Sequence, residues 1–203
     1  MAASPSPGAP GSSQEKKSAA PAAPLTRSAL QPLLLTASDL GPGYVAQPAD
    51  PATPSADDES SEARGCPALQ AMDQQNITFP AQVEQAFSVQ GNSRQQVDET
   101  LGSDTPAKLD TTLSKISQAY RSCQSFTVNG VTATINVIDP PALGDQRFGY
   151  LMTIAAPAGT TAIKALAIRE GSVILMLSGD PAAVDSALPA AFDKLRSRAS
   201  KTG

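Results

Sequence analysis

Residues 125–138 read SFTVNGVTATINVI. Two β-rich runs flank Asn129-Gly130, the dipeptide that most favours a two-residue hairpin, because both central positions of that turn require positive φ. The spacing predicts strands over 125–128 and 131–138. The period of two continues downstream. Strands are expected at about 146–156, with Phe148, Tyr150, Met152 and Ile154 on one face, at about 161–169, and at 172–178. Glu170-Gly171 supplies the turn between the last two. Val173-Ile174-Leu175-Met176-Leu177 is apolar on both faces, which predicts a central or covered strand. Upstream, 79–90 and 94–101 are expected to pair around Gly91-Asn92-Ser93.

Working outward from the strands, two helices stand out. Thr105 is a suitable N-cap with Pro106 at the first helical position, and Leu109, Leu113, Ile116, Tyr120 and Cys123 recur at spacings of four and three. This predicts a helix over 106–123 with one buried stripe and a solvated face carrying Lys108, Asp110, Lys115 and Gln118. Asp180-Pro181 opens a second helix with Val184, Leu188, Phe192 and Leu195 at core spacing. Pro189 is expected to kink or break it. Its basic end, Lys194, Arg196, Arg198 and Lys201, suits the negative pole of a helix dipole. Nearer the N-terminus, Thr36 or Ser38 can cap a short helical turn that Gly41-Pro42-Gly43 ends. The expected fold class is α+β: a largely antiparallel β-sheet with packed helices and one disulfide.

Composition limits the chemistry. The chain of 203 residues is long enough for one domain with its own core, and aromatic residues make up only 4 % with no Trp, so that core is expected to be aliphatic. A net charge of −4 argues against nucleic acid, which demands a concentrated basic surface. There is no histidine, the usual general base near neutral pH and the commonest side chain in catalytic metal sites. The longest apolar run, 173–177, is too short to span a bilayer. The N-terminus lacks a basic region followed by an apolar stretch, so an exported form is expected to be mature or trimmed, with Met1 an added start.

Residues 1–28 read as a disordered Pro/Ala/Ser-rich tether, expected to add nothing to folding as far as about residue 25, and 29–203 as a single domain in which 47–61 is a long polar loop. Cys66 and Cys123 are the only cysteines. A disulfide between them would tie the front of the domain to its central helix and points to an oxidising compartment, the alternative being two buried thiols.

Weighed singly, the chemical motifs are weak. Ser13-Gln14-Glu15-Lys16 matches S-x-x-K but lies in the tether without the companion motifs. Asp57, Asp58, Glu59 and Glu62 lack the spaced ligands of a calcium loop and read as a solvated acidic stretch. Asn76-Ile77-Thr78 is a formal glycosylation acceptor, best read as a chance match. No phosphate-cradling glycine loop is present, and no cofactor or metal is expected. The loop from Asp139 to Arg147 is different. Pro140 and Pro141 fix its backbone and Gly144 allows a turn, so Asp145 and Arg147 are expected to be displayed as a binding rim, the alternative being a well-capped connection with an incidental ion pair. Arg169, beside the Gly171 turn, and Tyr150 complete the candidate ligand-binding residues.

The order 33–44 (LLLTASDLGPGY), Gly65-Cys66-Pro67, Cys123-Gln124-Ser125-Phe126, Pro141-Ala142-Leu143-Gly144-Asp145 and Ile168-Arg169-Glu170-Gly171-Ser172-Val173 resembles actinobacterial cell-surface lipoproteins. It is also similar to the extracellular sensor domain of PknH-type serine/threonine kinases. The resemblance spans about 30–198. It implies an exported domain of antiparallel sheet plus helices, braced by disulfides, that binds an unidentified ligand in a cleft. Two departures stand out: those sensor domains carry two disulfides where this chain can form one, and a lipid-bearing N-terminal cysteine is missing, so membrane attachment is expected only through a lipid anchor on a precursor. The function expected is therefore a non-catalytic, extracytoplasmic ligand-binding or sensor-type domain at the cell surface, monomeric, facing a small molecule or cell-envelope component. The competing readings are a structural envelope protein that binds other proteins and a histidine-free hydrolase.

Overall fold

The computed structural model describes residues 22–48, 64–74, 77–128, 130–157 and 159–199. Its strands are β1 (Tyr44–Ala46), β2 (Ala81–Val89), β3 (Asn92–Ser103), β4 (Ser125–Val128), β5 (Val131–Ile138), β6 (Gln146–Ala156), β7 (Gly159–Glu170) and β8 (Val173–Gly179). They form one antiparallel sheet in the order β1-β2-β3-β8-β7-β6-β5-β4. The helices are α1 (Arg27–Leu30), α2 (Ala37–Leu40), α3 (Pro67–Gln74), α4 (Pro106–Arg121) and α5 (Pro181–Ala199), with a single 3₁₀ turn at Gln31–Leu33. The α+β class holds. None of these helices is long and apolar enough to cross a membrane.

The alternation of β8 sorts the molecule into layers. Val173, Leu175 and Leu177 face one core with Leu166, Ile168, Val97 and Leu101, beneath α5 and the N-terminal segment. Ile174 and Met176 face the opposite side, with Leu109 and Leu113 of α4 and Phe148 of β6. β8 is thus central in the sheet and covered on both faces, as its uninterrupted apolar run requires.

α5 is one helix across Pro189, with no break into two. A proline in a helix interior costs about 3 kcal/mol, whereas burying each large apolar side chain stabilises by about 1.5–3 kcal/mol. Val184, Leu188, Phe192 and Leu195 are all buried, so packing wins. At the N-terminus of α5, Asp180 accepts the amides of Ala182 and Ala183, as its N-cap position predicts. α4 ends at Arg121, which leaves Cys123 just beyond the helix.

The N-terminal boundary differs from the expectation of a tether through residue 28. Residues 22–28 belong to the domain: the Leu25 amide donates to Ser103, the Ser172 hydroxyl donates to the Ala23 carbonyl, and α1 begins at Arg27. Leu30, Leu33, Leu34 and Leu35 are buried over β2 and β3, which makes this segment a strap across the sheet. The rest of the tether, residues 49–61 of the polar loop with its acidic group, Asn76, Asn129 and Lys201 lie outside the described residues.

Cys66 and Cys123 form a disulfide with a sequence separation of 57. It joins the start of α3 to the exit of α4. Closing a loop of that size stabilises by about 4 kcal/mol in the chain-entropy account. Replacing both cysteines by serine is therefore expected to lower the unfolding free energy in urea by about that amount. Equal stability of the oxidised protein and the serine variant would remove the bond from the list of structural supports.

Candidate functional site

On the α4 side of the sheet, side chains of α3, α4 and five strands enclose a cleft of about 340 Å³. Its floor is Thr100, Met176, Ser178, Ala165 and Ala167, which strand alternation places on one face. One wall is Ile116 and Tyr120 of α4 with Phe148 and Tyr150 of β6; the other is Met72 of α3 with Ile77 and Phe79. Phe79 is seated on Gly102. Any Cβ at that position would collide with the ring, so glycine is what lets the aromatic side chain reach the cleft edge.

The aromatic wall is ordered. The rings of Tyr120 and Tyr150 stack with centroids 4.1 Å apart, and the Tyr150 hydroxyl donates to that of Tyr120 at 3.1 Å. Burial, reinforced by the neighbouring Tyr120 phenol, pushes the Tyr150 phenol up from its ordinary value, so it stays a neutral hydrogen-bonding group. Among the described residues, no charged side chain lines the cleft. The polar members are Gln82, Thr100, Ser178 and the tyrosine hydroxyls.

Of the four residues selected from sequence, Asp145 and Arg169 are brought together, while Tyr150 and Arg147 lie apart from them. Tyr150 lines the cleft. Arg169 is 11 % exposed: its Nε donates to Asp110 at 2.8 Å, and its Nη1 donates to Asp145 at 2.8 Å and to the Gly171 carbonyl at 2.9 Å. Asp145 also accepts the Gly171 amide. The pair clamps α4 and the 139–145 loop onto the β7–β8 turn, so the half-exposed Asp145 carboxylate is engaged by Arg169 and the Gly171 amide. Gly144 has φ +67°, and a Cβ there would strike the Arg169 carbonyl, which is the tight approach its turn position predicts. Arg147 lies on the opposite face, where its Nε donates to the Pro140 carbonyl and faces the exposed Asp139 at 3.9 Å.

A second group of interest is Glu99 of β3, which is 1 % exposed beneath the N-terminal strap. Its Oε2 accepts the Leu35 amide at 2.6 Å, and its Oε1 has no hydrogen-bond partner. Desolvation pushes its carboxyl up to about 7, against the hydrogen bond from Leu35 and the field of Lys194, with Asp39 adding to the rise. Above it, Lys194 of α5 donates to the Leu34 carbonyl and to Asp39 of α2, which holds the Asp39 carboxyl below its usual value. The Glu99 carboxyl is sealed from solvent and lies on the face of the sheet opposite the cleft. It serves the fold.

The residues that sequence reasoning missed are Met72, Ile77, Phe79, Thr100 and Met176. The signal for Phe79 was present in its pairing with Gly102, but only the β2–β3 register, which sets Gln82 against Gly102, makes it legible.

Two measurements follow from this electrostatic layout. Glu99 carries a raised carboxyl, so the native state keeps a proton that the unfolded chain loses between pH 4.5 and about 7. Stability is full below that window and falls across it by about 3 kcal/mol. Urea unfolding at pH 5 and pH 8 is expected to show the fall in the wild type and most of it removed in Glu99→Gln; identical pH slopes would contradict it. Arg169→Ala is expected to destabilise by about 1–2 kcal/mol, the half-exposed carboxylates softening the loss, while Arg147→Ala stays within about 0.5 kcal/mol. Equal effects of the two would overturn the clamp assignment.

No protein-family model matches this chain, and neither a curated protein nor a solved structure matches it.

Proposed function

We propose that this chain is a non-catalytic, extracytoplasmic binding domain that holds an apolar small molecule in the cleft between α4 and the sheet. The observation that carries the reading is a concentration of side chains. Four of the eight aromatic residues of this aromatic-poor chain, Phe79, Tyr120, Phe148 and Tyr150, line one cleft together with Met72 and Met176. Aromatic rings supply large rigid apolar area and methionines adapt to irregular shapes, which suits a binding wall better than a close-packed core. The cleft volume of about 340 Å³ falls within the range of about 300–1,000 Å³ found for small-molecule sites.

Three further points support the reading. The described residues of the lining offer no carboxylate, amine or thiol to move a proton or attack a substrate, which fits holding better than turnover. The disulfide suits an oxidising compartment. The motif resemblance to actinobacterial surface lipoproteins and kinase sensor domains agrees with a surface location and a ligand-dependent role. A protein-docking role has less behind it: among the described residues Val45, at 38 %, is the one exposed large hydrophobic side chain, so no apolar patch offers a partner a footing.

Filling the cleft tests the proposal. Ala165→Phe places a ring in the void between Tyr150 and Ser178, the positions that flank Ala165 in the sheet. It is expected to weaken binding of a neutral apolar fluorescent dye by at least about tenfold while the melting temperature holds or rises, since the added ring fills empty space. Native mass spectrometry of protein from its own host is expected to show a retained small molecule in the wild type and none in the variant. A wild type that binds no apolar probe and retains nothing would sink the proposal.

A further inference from the structure

The geometry points to an uncharged amphiphile as the ligand class of this cleft, with anionic lipids rejected; the inference rests on the apolar-cleft reading above. The cleft is chemically two-ended. At the α4 end it is closed by Tyr120, Phe148 and Tyr150, and its floor there is Ala167 and Met176. Toward β2 and β3 the floor turns polar but stays neutral, with Gln82, Thr100 and Ser178 of β8 supplying an amide and two hydroxyls beside the apolar wall of Met72, Ile77 and Phe79. An apolar body fits the first end, and a head bearing hydroxyl, ester or amide groups fits the second.

The groups just outside that polar end select against negative charge. Glu84 stands directly opposite Thr100, and Asp98 directly opposite Ser178, in the sheet register. Strand alternation puts all four on the cleft face. Gln82 donates to Glu84 and Gln96 donates to Asp98, but among the described residues neither carboxylate belongs to an ion pair. An anionic head seated on Thr100 and Ser178 would therefore meet two uncompensated like charges and leave water for a wall without a cation. Arg94 shares a groove with Gln96 and Asp98, but it forms no ion pair with that carboxylate and does not line the cleft. Arg169 is held by Asp110 and Asp145, and Arg121, 5.9 Å from the Phe148 ring centre, lines the neighbouring groove beside Cys123 and Gln124. A cationic head gains from the carboxylates but gives up far more hydration than a neutral one on entering an uncharged wall.

Three probes that share one C18 chain and differ only in the head separate these cases: monooleoylglycerol, oleate and oleylamine, each used below its aggregation concentration to displace a neutral apolar dye at pH 8. Monooleoylglycerol is expected to bind at least about tenfold more tightly than oleate, a gap of about 1.4 kcal/mol, and more tightly than oleylamine. Raising the salt narrows the gap to oleate, because the carboxylates sit at the surface. The double variant Glu84→Gln/Asp98→Asn is expected to tighten oleate by about fivefold with monooleoylglycerol unchanged. Oleate binding as tightly as monooleoylglycerol, a gap indifferent to the double variant, or oleylamine binding tightest would each overturn the neutral-head assignment while leaving the apolar cleft standing. Failure of the dye and of all three probes to bind would remove the cleft reading itself.

Discussion

A strand that is apolar on both faces must be covered on both faces, and the architecture follows from meeting that demand for β8. Val173, Leu175 and Leu177 take one side; Ile174 and Met176 take the other. The two sides are covered unequally. On the first, α5, α1, α2 and the Leu33–Leu35 run together reach across to β2 and β3. On the second, α4 packs on β5 to β8, and α3 packs on α4. A helix is about 10 Å wide and strands lie about 4.8 Å apart, so one helix covers two or three strands. Beyond α4, none of the described helices packs broadly on the same face of β2 and β3, and the step in covering is where the cleft lies. The site is a geometric consequence of asymmetric covering.

The sealed side carries an electrostatic cost that the open side avoids. Closing the N-terminal strap over β3 traps Glu99, with one oxygen on the Leu35 amide and the other unpartnered. The strap gains a hydrogen bond at Leu35, and Lys194 ties its Leu34 carbonyl and Asp39 to α5. A buried carboxylate is a poor source of stability, but it restricts which backbone amide can lie over β3, and so favours one seating of the strap. On the open side, residues of the same strand at positions 98 and 100 face water and the cleft. Period-two alternation therefore separates a buried carboxyl at 99 from one at 98 on the cleft side of the sheet.

Much of the fold was legible because its signals are local. The 125–138 hairpin, the β7–β8 pair around Gly171, the Leu109–Leu113 stripe of α4 and the Asp180 cap depend on residues a few positions apart. β1 was missed because three residues, two of them exposed, carry no period, and α3 because over 67–72 it has one deeply buried side chain, Leu69, to mark a face. The site was barely legible. Reading polar loop residues as a rim singled out Asp145 and Arg169 separately, whereas 24 positions of chain conceal that they bind each other. Tyr150 was placed on a strand face with Phe148, which is correct, but its partners Thr100, Met176 and Phe79 come from strands and a loop that only the register brings beside it.

The wall formed by α3 and the segment after it shows how such a cleft is held open. Its beginning is fixed by the Cys66–Cys123 bond to the exit of α4, and its end by Phe79 lying on Gly102 of β3. One anchor is covalent and the other is a ring on a bare backbone, and between them Met72 and Ile77 face the floor. Fixing both ends removes conformational freedom from the wall, and in the binding role proposed above less ordering entropy would be lost when a ligand enters. Without the disulfide, the short α3 would rest on α4 through a small cluster around Leu69 and Ala119, and the far wall of the cleft would depend on Phe79 alone.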